Sequence, residues 1–128
     1  MGQQQLLLVI LSMIIIGIAV AVGINLFRES AVSSARDALV TDLNGFGAHA
    51  QAFYRRPKLT GGGGYSFANI TIKDLMAKPF NDNGRYFISN KSAVLVEITG
   101  IGKEVVGPDT IEARVAVTLD SLAVTIVK

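Results

Sequence analysis

Cysteine and tryptophan are both missing from the 128 residues, and histidine occurs once, at His49. Without cysteine there is no disulfide framework, no thiolate metal site and no cysteine nucleophile. A single histidine removes most zinc sites and Ser–His–Asp arrangements. His49 falls beside an apolar helix stripe, where it reads as a packed or exposed helix residue rather than a base. Aspartate and glutamate are scattered, with no pair spaced for acid–base work on one helix face. No catalytic residue, cofactor or metal site is expected, and the chain does not read as an enzyme. Charge is sparse too: the formal net charge is +2, and the longest basic cluster is Arg55-Arg56-Pro57-Lys58. That balance gives no expectation of a nucleic-acid partner.

Charge is wholly absent from one long stretch, LLLVILSMIIIGIAVAVGI, from Leu6 to Ile24. As a helix it is about 28 Å long, close to the roughly 30 Å hydrocarbon core of a bilayer. It accounts for much of the mean hydropathy of +0.45. A domain of this size cannot bury such a segment on every side, so lipid or identical segments from other copies must cover it. The side chains available are Leu6, Leu7, Leu8, Val9, Ile10, Leu11, Met13, Ile14, Ile15, Ile16, Ile18 and Ile24. Gly17 with Ala21, and Ala19 with Gly23, are small-xxx-small pairs that let helix backbones approach closely; small residues in a lipid-facing span are the alternative. A secretory signal would need a basic leading region and a shorter apolar run. Gln3-Gln4-Gln5 stands there instead, so the segment is expected to stay in the product.

Past Ile24 the pattern turns amphipathic with no helix breaker. Val32, Ala35, Leu39, Leu43, Phe46, Ala50 and Phe53 are spaced 3, 4, 4, 3, 4 and 3 apart, one apolar stripe on a helix. Arg36, Asp37, Asp42 and Gln51 lie opposite it. One helix is expected from about Gln3 to about Tyr54, ended by Pro57. Gly61–Gly64 lacks the Gly-Lys-Ser/Thr ending of a phosphate loop and reads as a flexible connector. Thr71 with Asp74 suggests a capped helical turn over 72–77. The remainder reads as antiparallel strands at 85–89, 93–99, 111–119 and 122–127, with turns at 100–103, 106–109 and 120–121. In 111–119, Ile111, Ala113, Val115, Val117 and Leu119 share one face. About 70 residues make a marginal core on their own, and the helix stripe is the other unsatisfied face. The expected fold is α+β: an apolar stalk (1–24), the amphipathic half of the same helix (25–56), and a small antiparallel sheet head (57–128) packed on that half.

This layout resembles the type IV pilins and their pseudopilin relatives. The resemblance rests on Leu6–Ile24, the amphipathic continuation through Tyr54, and the Gly-rich loop followed by an antiparallel sheet. The opening MGQQQLLLVILSMIIIGIAVAVGI is also similar to that of small bacterial pilin-like proteins. The resemblance implies a structural subunit of an extracellular, cell-surface helical filament. Its partners would be other copies of itself, membrane lipid before assembly in the inner membrane, and the pilus assembly machinery. Two departures stand out. Family members carry a basic leader ending in Gly, and here the only material that reads as a leader is Met1-Gly2, with no Lys or Arg. Met1 as mature start, a vestigial Met-Gly leader and a protein that skips processing all fit. The family's glutamate at mature position five is replaced by Gln5, or by Leu7 if cleavage follows Gly2. Gln5 can still accept a hydrogen bond from a neighbour's amine, without the charge. Arg28, Glu29, Arg36, Asp37 and Asp42 flank the apolar zone and are candidate contacts between subunits; solvated helix charges are the alternative. Asn69 and Asn90 match glycan acceptor patterns. The competing readings are a single-span membrane protein that never polymerises and a minor pseudopilin of a secretion system. Arg28 and Arg36 following the span, with no base before it, would put such a head in the cytoplasm.

Overall fold

The computed structural model describes residues 2–75 and 78–127. Helix α1 runs Gly2–Arg55, followed by a 3-10 turn Lys58–Thr60 and a short α2, Ile72–Leu75. Five strands complete the chain: β1 Phe80–Asn81, β2 Gly84–Lys91, β3 Val96–Val106, β4 Asp109–Val117 and β5 Leu122–Ile126. They form one antiparallel meander in the order β1-β2-β3-β4-β5. The chain divides into two compact units, Met1–Ala31 and Val32–Lys128. The long helix packed on an antiparallel sheet is the α+β arrangement expected.

In the second unit the sheet covers the predicted stripe. Leu39, Leu43, Ala50 and Phe53 are buried, and Val32, Ala35 and Phe46 pack against them. From the sheet come Tyr86, Val96, Ile98, Ile111, Ala113, Val115 and Val117. Alternation along β4 puts Ile111 to Val117 inward, as a pleated strand requires. Leu119 lies beyond the strand and is 36 % exposed, so the predicted face ends at Val117.

The predicted turn at 100–103 is instead the middle of β3, an 11-residue strand. Its glycines answer to packing rather than to turning. Ile98, Gly100 and Gly102 follow one another on the buried face. A Cβ at Gly100 would lie 2.8 Å from the Tyr86 ring, and one at Gly102 only 2.3 Å from Ile111, with Leu39 close to both. Removing two side chains here lets α1 and the Tyr86 ring settle onto the sheet. A register shift between Ile101 and Val105 follows directly on these glycines. Strand β1 is too short to leave a hydrophobic pattern and was not expected.

The four-glycine loop is also not a loose connector. Gly63 N–H donates to Phe53 O (2.9 Å), Gly64 N–H to Arg56 O (2.9 Å) and Tyr65 N–H to Tyr54 O (2.7 Å). Those carbonyls belong to the last turn of α1 and to the residue after it, which have no further helix to bond. Backbone must come very close to do this. A Cβ on Gly62 would sit 2.3 Å from Arg56, and one on Gly63 2.1 Å from Ser66 O. The loop is a helix cap built from bare backbone. At α2, Thr71 N–H and its hydroxyl both donate to Asp74 Oδ2, at 2.9 and 2.8 Å, as the spacing predicted. Helix α2 is described through Leu75; the rest of the predicted turn at Met76 and Ala77 lies outside the described residues.

Candidate assembly segment

The first unit is α1 through Ala31. Every large aliphatic side chain from Leu6 to Leu26 is at least 50 % exposed, and Phe27 is 76 % exposed. Nothing in the described chain covers them. Sequence pattern stopped this segment at Ile24 because Asn25 interrupts it, yet Leu26 and Phe27 are equally bare. The bare apolar surface therefore ends at Arg28.

Inside the run the one hydroxyl is already satisfied: Ser12 Oγ donates to Leu8 O at 2.7 Å. An unpaired hydroxyl costs free energy in an apolar medium, and this back-bond removes that cost. Gly17 and Gly23 have open space where a Cβ would stand, so packing within the chain does not demand them. The segment is long and apolar enough to cross a membrane.

Of the candidate polar contacts, Gln5, Arg28, Glu29 and Asp37 are exposed. Arg36 is half-buried and already engaged within the chain. Asn69 and Asn90 are exposed, the first in a turn and the second on β2. His49 is exposed, and the described residues hold no cluster of three metal-ligating side chains.

Asp42, by contrast, is taken up by the head. Its Oδ2 accepts from Asn83 Nδ2 at 2.8 Å, from Asn81 Nδ2 at 3.0 Å and from the Tyr86 hydroxyl. Partial burial pushes the carboxyl up, but the bonds from Asn83, Tyr86 and Asn81 outweigh it and hold Asp42 below its ordinary value. Burial, together with the hydrogen bond and charge of Asp42, pushes the Tyr86 phenol up. On the other flank of α1, Gln51 Nε2 donates to Thr118 O at 3.1 Å. On a helical wheel Asp42 and Gln51 lie about 100° and 80° to either side of Leu43. They flank the buried stripe rather than oppose it, and tie α1 to the two ends of the meander. Asn81 and Asn83 carry no periodic or motif signal in the sequence and were not expected at the site.

No family model, curated protein or solved structure matches the chain.

Proposed function

We propose that this protein is the structural subunit of a helical surface filament, assembling through the apolar part of α1 and lodged in a membrane before assembly. One observation carries the reading. The helix that supplies Leu39, Leu43, Ala50 and Phe53 to the head's core also carries, from Leu6 to Phe27, an apolar surface that the other described residues leave exposed. A simple anchor would not need its span to run into the head's own core helix without a break. A filament subunit does, because one helix then supplies both the polymer core and part of the head that faces outward.

In lipid, the drive to associate comes from close packing, and Gly17, Ala21 and Gly23 offer backbone approach. Outside lipid, water replaces it, and each exposed leucine or isoleucine costs about 1.5–3 kcal/mol. Assembly then becomes hard to reverse. Gln5, Arg28, Glu29 and Asp37 are exposed beside the apolar surface and are the side chains available to set register.

Electron microscopy and immunoblotting of sheared surface material test the reading. Thin fibres containing this chain are expected, and Glu29→Lys should change their yield or symmetry. A chain that stays in the membrane fraction with no fibres would favour the single-span alternative, for which Arg28 directly after the span is the supporting observation.

A further inference from the structure

The far end of α1 carries a second exposed surface that the filament reading does not use. From Leu43 to Lys73 the chain has no aspartate or glutamate, while Arg55, Arg56, Lys58 and Lys73 all fall there. Arg55, Arg56 and Lys58 are exposed, and none is in an ion pair among the described residues. Between them the 3-10 turn presents Leu59, which is 100 % exposed, and Tyr65 close by is 71 % exposed. A leucine fully in water beside three unpaired cations gains nothing from the fold.

The presentation is ordered. Thr60 N–H and Gly62 N–H both donate to Pro57 O at 3.1 Å, and Gly61 N–H to Lys58 O at 3.1 Å. Gly64 lies under the Lys58 stem, where a Cβ would come within 2.8 Å of Cγ. The Tyr65 ring stands edge-on against Tyr54, with ring centroids 5.7 Å apart. Little chain entropy is left to lose on binding. The turn 92–95, which holds the following segment through the bond from Phe67 N–H to Ala93 O, contributes no acid.

We infer that this turn docks on an anionic bilayer, with Leu59 entering the headgroup–acyl boundary and Arg55, Arg56 and Lys58 meeting lipid phosphates. The two signals complement each other, because one small apolar insertion or a few cations alone bind a membrane only weakly. The apolar apex separates lipid from other polyanions. A nucleic acid would use the cations and stack on Tyr65, and would leave Leu59 in water. This inference stands apart from the filament proposal, and its test uses single copies.

The full chain is held in nanodiscs of neutral phosphatidylcholine, which occupy the apolar part of α1. It is then floated with separate vesicles, either neutral or of equal parts phosphatidylcholine and phosphatidylglycerol. Binding to the anionic vesicles alone is expected, weakening as salt rises. Leu59→Ser should weaken it about tenfold, and Arg55→Gln and Lys58→Gln about fivefold each. These exposed side chains should leave the head's unfolding unchanged. Equal flotation with neutral vesicles overturns the inference, as does anionic binding indifferent to Leu59→Ser. Binding of single-stranded poly(dT) without vesicle binding overturns it in favour of a nucleic acid. Pairing of nanodiscs in the absence of vesicles overturns it in favour of a second copy.

Discussion

Two stretches of α1, Leu6–Phe27 and Val32–Phe53, are both rich in apolar residues, yet they meet opposite fates. In the second, apolar side chains recur on one stripe, and the sheet covers it until Leu39, Leu43 and Ala50 are fully buried. In the first they run all round, and no other described residue covers them. A protein can complete a one-sided apolar helix with its own sheet, because one layer suffices. A helix apolar on every side needs neighbours on every side, which a single sheet cannot give. The difference lies in pattern rather than in hydrophobicity. It separates the part of the molecule that folds from the part that must be finished by something else.

Substitutions that strike one stretch and spare the other put this comparison at risk. Ile15→Asp should have the largest effect. A charge at the centre of such a helix costs about 2.5–3.5 kcal/mol in lipid, so fibre yield should fall roughly fiftyfold or more. The head's unfolding, followed by tyrosine fluorescence in detergent, should not move. A shift in that unfolding would mean that the stretches are not independent. Leu43→Ala reverses the roles. It should cost the head about 2–5 kcal/mol in urea unfolding, while the apolar segment keeps its ability to enter a membrane.

Gly63→Ala probes the cap. Its Cβ would meet Ser66 O at 2.1 Å, against backbone that cannot swing aside. A loss of about 1–3 kcal/mol is expected; a neutral result would show the loop to be the connector that its composition suggests. Tyr86→Phe should cost about 1.5 kcal/mol by removing one donor from Asp42.

The same anchor sets a pH dependence at each end of the scale. Asp42 titrates below its ordinary 3.8 in the folded chain, so on acidification the unfolded chain takes up the proton first. Its contribution is complete above the ordinary value and is lost as pH falls through the folded one. Tyr86 behaves oppositely. With its phenol raised, stability should decline once pH passes the ordinary tyrosine value of 10.0. Asp42→Asn should flatten the acid limb of stability against pH and leave the apolar segment untouched. Gln51→Ala, which releases a bond to Thr118 O, should cost the least, below about 1 kcal/mol.

Much of the architecture is legible in local sequence pattern. Helical spacing from Val32 to Phe53 and alternation from Ile111 to Val117 each report a single buried face, and both are buried as read. Pattern works there because one element's side chains decide it. It fails at Gly100 and Gly102, which look like turn residues and are strand residues thinned to admit Leu39 and the Tyr86 ring. Gly61–Gly64 looks loose and is a helix cap. Asp42 looks like one more surface charge and is the acceptor that joins α1 to the β1–β2 turn. In each case the meaning of the residue comes from a partner remote in sequence.

Side-chain order along the chain is enough to make one segment, Leu6 onward, apolar on every side, to continue the helix as an amphipathic one, and to set an antiparallel sheet after it. Those are properties of local pattern, set by helical and pleated geometry. The apolar run itself ends at Phe27 through the charge of Arg28. Packing between distant segments decided where the sheet's cover of α1 begins, at Val32, since Arg28, Glu29 and Ser30 are still exposed. It also decided which glycines, which acid and which loop hold the head together, because close approach between distant segments leaves no periodic trace in the chain.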